Sequence, residues 1–439
     1  MNNAADDRII KFLLRHGLHE SCFDFEAHVR RFTEEMDNGL AGDTSSLLML
    51  PTYLDDRKGG GMKDEVIAID AGGTNLRIGL VKFSPGEPPE RIYYEKQPIP
   101  GAGTPVDKTV FFDRIAAALE PVAGRSGKIG FCFSFPTDIL PSRDGRILIF
   151  DKEVKVTDGA GSLLGQELND ALARAGKPAA SVTVLNDSTA AILGVLAFEQ
   201  ARIRKQEQTY SGHIGLIYGT GVNICYSECI DRIPKLKKED IPQGSRYMLI
   251  NTEAGGYAGF ERGPVDREMD ETSEDPGGQL FEKMVSGAYF SVLVLRSLKL
   301  AANEGLFSEA AAARIAEHDR LDPADIDRFL KDPGGRSTLA ALCLGENDSA
   351  QLFSLIDGLY DRAAKLVAIV VAAVMIRCGG GTADAPILLV VDGSTFHKGY
   401  RFRERFVGMI EKYTDSALHY ELVGSEDHTL IGAAASVFM

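Results

Sequence analysis

One aspartate stands where an α/β protein can carry out chemistry. In "VTVLNDSTAAILG", residues 182–194, an apolar run leads into Asn186 and Asp187, and an alanine-rich helix is predicted to start at Ser188. Because open α/β sheets bind ligands at the carboxyl ends of their strands, a carboxylate here could serve as a general base. An aspartate before a helix is also a common N-cap, and the residue types alone leave both interpretations open.

Further polar side chains follow other predicted strands or begin helices. They are Ser134 in "FCFSFPTD", Lys152 in "GRILIFDKE", Glu253 in "MLINTEAGG" and Glu282 in "DPGGQLFEKM". Together with the Asn-Asp pair, these groups offer many directed hydrogen bonds. That combination suits a neutral, polyhydroxylated ligand, which needs no net countercharge.

Two glycine turns accompany these groups. In "VIAIDAGGTNLRIGLVKF", 66–83, and "HIGLIYGTGVNICYSE", 213–228, an apolar strand meets a glycine turn and a second alternating strand follows. Neither turn opens a helix, as a dinucleotide motif or a P-loop would. The two stretches are predicted to be β-hairpins that form an internal repeat. Such turns let backbone N–H groups approach phosphates closely, although each taken singly could be an ordinary hairpin.

Composition limits the class of protein. The chain has 439 residues, 44% hydrophobic and 25% charged, which predicts a globular protein of two or three domains. A formal charge of -15 argues against nucleic-acid or anionic-membrane binding. The start, "MNNAADDRII", lacks the basic and apolar regions of a signal peptide, and "LVAIVVAAVMI", 366–376, is too short to span a bilayer and is predicted to be a buried core helix.

The cysteines predict no metal site. Of the six, only Cys225 and Cys229 lie close together, and no second pair or nearby histidine completes a zinc site. The eight histidines form no ligand pair at helical spacing. We therefore expect reduced core thiols in a cytoplasmic protein.

The elements that position the polar groups fall into two α/β lobes. A helical segment at about 5–38 precedes "DDRKGGGMKDE", 55–65, a candidate hinge. Strands then dominate to about 150, with a helix near 106–123. From about 188 the pattern is helix-rich, apart from strands predicted at 213–229, 247–251 and 387–392. This part includes a capped helix between two Asp-Pro breaks near 321–333. This alternation predicts a ligand cleft between the lobes.

The sequence resembles a hexokinase of the eukaryotic hexokinase/glucokinase type over nearly the whole chain. The motifs that carry the resemblance occur in the family's order: "LLMLPTY", "IDAGGTNLRIG", "FSFP", "VLNDSTA", "GLIYGTGVN", "INTE", "DPGGQLFEKMVSGAY" and "VVDGSTFHKG". The resemblance implies the two-lobed, actin-like ATPase (ribonuclease H-like) fold. It also implies an N-terminal helical segment on the large domain (1–62), a small α/β domain (63–187), a large α/β domain (188–424) and a C-terminal helix that returns to the small domain (425–439).

Carried over by motif, the resemblance implies roles for individual residues. Asp187 is the general base that takes the proton of the sugar 6-hydroxyl as that oxygen attacks the γ-phosphate of ATP. The implied sugar contacts are Ser134, Lys152, Asn186, Asp187, Asn223, Glu253 and Glu282. The implied ATP contacts are Asp70, Gly72, Gly73, Thr74, Asn75, Arg77, Gly219, Thr220, Gly221, Gly393 and Ser394. Asp70 is the implied Mg²⁺ site, through water.

Three departures from the family pattern affect the choice of sugar. Asp151 replaces a sugar-contacting Thr, Ala254 stands where Trp is usual, and His428-Thr429 replaces Gly-Ser. Asp151 either turns inward, where it would favour 2-amino sugars, or faces outward or pairs with Lys152.

The resemblance thus predicts an ATP- and Mg²⁺-dependent hexokinase. We expect it to act on glucose, to be cytoplasmic, to be a monomer or homodimer, and to have no nucleic-acid or membrane partner. The alternatives are a non-catalytic sugar-binding regulator that has kept the fold, and a kinase of another hexose or amino sugar. Retention of Asp70 and Asp187 argues against the regulator.

Overall fold

The protein contains two large β-sheets, each covered by helices, and two further sheets of two strands each. A computed structural model describes residues 3–58, 62–72, 74–150, 154–206, 210–414, 416–424 and 428–439, with backbone alone at 3–6 and 200–206. The strands are β1 (Leu50–Pro51), β2 (Asp64–Ala71), β3 (Asn75–Phe83), β4 (Glu90–Pro98), β5 (Val106–Asp107), β6 (Lys128–Phe133), β7 (Thr137–Ile139), β8 (Gly145–Ile147), β9 (Val156–Thr157), β10 (Ser181–Leu185), β11 (Gly212–Tyr218), β12 (Val222–Cys229), β13 (Tyr247–Asn251), β14 (Ile387–Asp392) and β15 (Tyr420–Gly424).

The α-helices alternate with these strands and dominate the second half of the chain. They are α1 (Asn3–Arg15), α2 (Phe25–Ala41), α3 (Lys108–Ala118), α4 (Leu164–Arg174), α5 (Asp187–Gln206), α6 (Pro264–Glu271), α7 (Leu280–Val285), α8 (Gly287–Asn303), α9 (Glu309–Ala316), α10 (Pro323–Lys331), α11 (Thr338–Leu342), α12 (Glu346–Arg377), α13 (Ser394–Lys398), α14 (Phe402–Thr414) and α15 (Thr429–Ala435).

The two large sheets repeat one topology. The small-lobe sheet has the order β10-β6-β2-β3-β4, and the large-lobe sheet has β15-β14-β11-β12-β13 with β1 added at its edge. In each, an antiparallel three-stranded meander is extended by two strands parallel to its first strand. The predicted hairpins are β2-β3 and β11-β12, the first two strands of each repeat. Both hairpins and the internal repeat are therefore confirmed.

The burial of each strand follows its position in the sheet. β14, "ILLVVD", lies between two parallel neighbours, and its residues 387–391 are all buried. That burial explains its unbroken apolar run, since parallel strands are covered on both faces. β4 lies at the edge of the small sheet and alternates exposed with half-buried residues over 92–98.

The longest helix forms the core of the large lobe. α12 has 32 residues, and the run at 366–375 within it is fully buried, so the predicted core helix is confirmed. α1 and α2 pack on α12 and place the N-terminal segment on the large lobe. The helical segment predicted at about 5–38 is confirmed and consists of α1 and α2, between which the chain turns at Gly17, whose φ of 68° a β-carbon would disfavour.

Two helices cross between the sheets. α5 leaves β10 of the small sheet and packs on β11 and β14 of the large sheet, whereas α15 packs on β2 and β6 of the small sheet. The crossing is close: a β-carbon on Gly432 of α15 would lie 1.8 Å from the carbonyl oxygen of Ala190 in α5. The lobes are therefore joined through a glycine-dependent helix contact.

Some boundaries differ from the sequence prediction. The helix expected at 106–123 spans only Lys108–Ala118, and α5 begins one residue early, at Asp187. β15 carries no strong strand pattern and was not predicted; its pairing with β14 makes it a strand. Among the described residues, none of the helices combines the length and apolar character needed to cross a membrane.

Candidate active site

A cleft of about 580 Å³ opens between the carboxyl ends of the two sheets. Every predicted site residue that the structure describes lines it: Asp70, Gly72, Thr74, Asn75, Arg77, Ser134, Asn186, Asp187, Gly219, Thr220, Gly221, Asn223, Glu253, Glu282, Gly393 and Ser394. Gly73, Asp151 and Lys152 lie outside the described residues. Residues separated by more than 300 positions in the sequence thus share one cavity.

Asp187 sits at the junction of β10 and α5. Its Oδ1 accepts a hydrogen bond of 2.8 Å from the backbone N–H of Ser188, and Asn186 Oδ1 accepts from the same N–H at 3.0 Å. Both side chains therefore accept from the same N–H at the start of α5 while they line the cleft. Asn186, which precedes α5 and accepts from the N–H two residues on, therefore occupies the N-cap position, whereas Asp187 is the first residue of the helix.

A chain of amides crosses the floor of the cleft. Asn223 Nδ2 donates to Asn251 Oδ1 at 2.8 Å and lies 3.3 Å from Asn186 Oδ1, and Asn251 Nδ2 donates to Glu253 Oε1 at 2.7 Å. Asn223 Oδ1 accepts from the N–H of Ala254 at 3.2 Å. These bonds fix four polar side chains from both lobes in one surface that offers directed hydrogen bonds to a ligand.

The two glutamates come from different elements: Glu253 lies just after β13 and Glu282 lies in the first turn of α7. Glu253 has a φ of 54°, a left-handed conformation that turns the chain directly after β13. Glu282 Oε2 accepts from the N–H of Val222 at 3.1 Å, which ties α7 to the second hairpin. Gly221 permits this contact, since a β-carbon there would lie 2.4 Å from Glu282 Oε2.

The second glycine turn is held by two other segments. The carbonyl oxygen of Gly219 accepts from Thr395 Oγ1 and from the N–H of Gly287, both at 2.8 Å. Gly393 has a φ of 118°, and a β-carbon there would lie 2.2 Å from the carbonyl oxygen of Tyr218. Only glycine allows "DGST" to pack this closely on the hairpin, so the two segments form one backbone surface at the cleft.

The first hairpin carries a buried ion pair. Arg77 Nη1 lies 2.5 Å from Asp70 Oδ2, and Asp70 is only 3% exposed. Burial raises the pKa of Asp70 above its ordinary value, and Asp392 adds to the rise, although Arg77 and the Cys132 thiol oppose it. The negative charge of Asp70 is therefore incompletely compensated, and a further cation beside it would be stabilised.

This donor set fits Mg²⁺. The ion is usually held by one or two carboxylates together with phosphate oxygens and water. Asp70 and Asp392 supply two carboxylates close enough to interact, next to both glycine turns. The residues that the structure describes contain no group of three or more His, Cys, Asp or Glu arranged as a metal site, so the remaining ligands would come from phosphate and water.

The sequence did not indicate several cleft residues. Asp392, Arg91, Tyr94 and Gln279 line the cleft, and Asn251 completes the amide chain. Asp392 could have been found, because it ends a buried apolar strand directly before Gly393. Arg91 and Tyr94 belong to an edge strand whose pattern gives no such signal.

A comparison with models of sequence families shows to which family the chain belongs. Two models described as "Hexokinase" match residues 18–196 and 213–439, which together cover most of both lobes. The chain belongs to the hexokinase family. The family relationship inferred from the motifs is thereby confirmed.

Curated hexokinases are similar along most of the chain. Hexokinase-1 of Rattus norvegicus is 29% identical over 438 residues, which cover 92% of this chain and 45% of that protein. The chloroplastic hexokinase-2 of Nicotiana tabacum is 33% identical over 290 residues, 62% of this chain and 55% of that protein. The chain spans about half the length of these hexokinase relatives.

Two solved structures share the hexokinase fold with this chain. The hexokinase from Schistosoma mansoni complexed with glucose has a TM-score of 0.79 at 23% identity, and covers 99% of this chain and 98% of its own. A second hexokinase crystal structure has a TM-score of 0.74 at 22% identity, with 99% of each chain covered. The predicted two-lobed, actin-like ATPase fold is confirmed.

Proposed function

We propose that this chain transfers the γ-phosphate of ATP to the 6-hydroxyl of a hexose, most readily glucose. The observation that carries the proposal is the position of Asp187, which lines one cleft together with residues of the amide chain, both glycine turns and the Asp70–Arg77 pair. A hydroxyl-binding surface and a phosphate-binding surface thus meet at a single carboxylate. This is the arrangement that phosphoryl transfer to an alcohol needs.

The residues divide the reaction between them. Asp187 accepts the proton of the 6-hydroxyl. As it does so, the hydroxyl oxygen bonds to the γ-phosphorus of ATP and the bond from that phosphorus to the ADP oxygen breaks. Asn186, Asn223 and Glu253 hold the sugar so that this hydroxyl faces the phosphate. Bound Mg²⁺, for which Asp70 and Asp392 supply the carboxylates, would neutralise charge on the phosphate oxygens.

Glucose is the first candidate substrate, because the Schistosoma mansoni relative was solved with glucose. Asp151 and Ala254 depart from the family pattern, and these two positions affect which sugars the protein accepts. Ala254 is fully buried. We also propose a role in glycolysis and a cytoplasmic location. All six cysteines are free thiols, which agrees with a reducing compartment.

A coupled assay with ATP, Mg²⁺ and a panel of hexoses tests the proposal. We expect phosphorylation of glucose, and a fall in turnover of about 10²- to 10⁴-fold in Asp187→Asn with sugar binding preserved. Asp231→Asn is the matched control, because this exposed aspartate lies outside the cleft. No sugar phosphorylation by the wild-type protein, or an Asp187→Asn variant within a few-fold of it, would overturn the proposal.

A further inference from the structure

The edge strand of the small sheet contains a β-bulge beside the cleft. Leu80 of β3 pairs with Tyr93 of β4, but Val81 pairs with Arg91, so Ile92 is an extra residue on β4. In a regular strand, Arg91 and Tyr94 are three positions apart and would point to opposite faces. The bulge reverses that alternation and puts both on the face of the cleft.

The two side chains form a cation–π pair. The guanidinium carbon of Arg91 lies 4.5 Å from the centroid of the Tyr94 ring, and both residues line the cleft. Tyr94 is 42% exposed and Arg91 is also exposed, so the pair is accessible from the cleft. Stacking on a ring restrains a long, flexible side chain before any ligand arrives.

The pair lies at one end of the cleft. Along β4, Pro98 is opposite Asn75 at the hairpin turn, Lys96 is opposite Arg77, and Tyr94 is opposite Gly79, farther from the turn. A β-carbon on Gly79 would lie 2.5 Å from the side chain of Leu430, which follows Thr429 at the start of α15. Tyr94 therefore lies toward the end of the cleft that α15 forms, away from the turn where the γ-phosphate would sit.

No described carboxylate forms an ion pair with the guanidinium of Arg91. Arg77 forms an ion pair with Asp70, and several other carboxylates line the cleft. Within the described ranges, the side chain of Arg91 forms no ion pair or hydrogen bond, and its interaction is the contact with Tyr94. A preoriented cation in an acidic cleft of a protein with a formal charge of -15 provides local attraction for an anion.

We propose that Arg91, oriented by Tyr94, binds the α-phosphate of the nucleotide. The inference rests on the proposed kinase function, which supplies the nucleotide. A guanidinium suits this role because its planar donors can contact two phosphate oxygens at once. Arg91 acts as a binding residue and Tyr94 as the positioning residue that holds it.

Nucleotide titrations by calorimetry, with Mg²⁺ present, test the proposal directly. Since ATP and ADP share the α-phosphate, Arg91→Ala should weaken the binding of both by a similar factor of about 5- to 30-fold. Tyr94→Phe keeps the ring and should bind within about twofold of wild type, whereas Tyr94→Ala should resemble Arg91→Ala. The double variant should bind no more weakly than Arg91→Ala alone, because Tyr94 acts through Arg91.

The matched control is Arg146→Ala, an exposed arginine on β8 of the same lobe that does not line the cleft. In the kinase assay, Arg91→Ala should raise the KM for ATP and leave kcat and the KM for glucose unchanged. Unchanged nucleotide affinity, a loss confined to ATP, or an equal loss in Arg146→Ala would overturn the inference. A wild-type protein that phosphorylates no sugar but binds nucleotide through Arg91 would overturn the proposed function alone.

Discussion

Asn223 donates a hydrogen bond of 2.8 Å to Asn251, and this bond joins β12 to the end of β13 at the floor of the cleft. Asn251 passes the contact on to Glu253, and it is itself only 4% exposed. The proposed sugar-binding surface therefore depends on Asn251, a buried residue that is not among the sequence-predicted site residues.

Replacing Asn251 by Asp should impair sugar binding selectively. The carboxylate could still accept from Asn223, but it cannot donate to Glu253 and would repel it, so Glu253, an implied sugar contact, would lose its orientation. We expect the KM for glucose to rise about 10-fold or more, with the KM for ATP within about threefold. Steady-state kinetics with each substrate varied in turn measure this. Equal changes in both KM values would mean that the variant disturbs the fold.

Sugar binding should draw the lobes together. Ser134 follows β6 of the small sheet, whereas Asn223 and Glu282 belong to the large lobe, so one hexose would contact both. Closure excludes water from the phosphate and thereby limits hydrolysis of ATP. Small-angle scattering should show a smaller radius of gyration with saturating glucose.

The control for closure is Glu282→Ala, which should not compact because it lacks a contact from the large lobe. The chain contains no tryptophan, so intrinsic tryptophan fluorescence cannot replace scattering. A wild-type radius that glucose leaves unchanged at saturation would contradict closure.

Acid should destabilise the protein through Asp56. This buried carboxylate accepts from Ser227 Oγ at 2.8 Å and pairs with His213 Nδ1, which anchors the segment after β1 to the large sheet. Burial alone would raise the pKa of Asp56, but His213, Ser227 and Arg57 together hold it below its ordinary value. The resulting stabilisation is present above about pH 4, the ordinary pKa of an aspartate, and is lost as the pH falls toward the lowered value.

The comparison with Asp56→Asn isolates this effect. At pH 6 the variant should be less stable by about 1–3 kcal/mol in denaturant unfolding. Because the asparagine does not titrate, the difference from wild type should shrink between about pH 4 and pH 3. A gap that stays constant over that interval would rule out Asp56 as the titrating group.

Gly432→Ala should disrupt the helix crossing. The added β-carbon would lie 1.8 Å from the carbonyl oxygen of Ala190, and a backbone oxygen cannot move aside as a flexible side chain can. We expect a loss of about 1–3 kcal/mol or more in the free energy of unfolding. Gly408→Ala in α14 is the control, since no atom lies within 4 Å of its β-carbon position and alanine favours helix. Equal stability of the two variants would contradict the close packing.

The sequence by itself determined the repeated unit of this protein and the identity of its main polar groups. Period-two alternation and glycine turns located both hairpins, because strand period and turn chemistry are local properties of the chain. The position of Asp187 after a predicted buried strand indicated a candidate general base. The ordered motifs identified the family. The apolar run in α12 likewise predicted its own burial.

Tertiary structure decided what these groups contact. β15 is a strand because it pairs with β14, and its own sequence has no strong strand pattern that would predict it. Asn251 joins the site through partners 28 and 2 positions away, and the bulge at Ile92 turns Arg91 into the cleft by an interruption of pairing between two strands. Such features depend on strand register and on contacts between distant segments. The free energy of these contacts is distributed over the fold, so they produce no periodic pattern in the sequence.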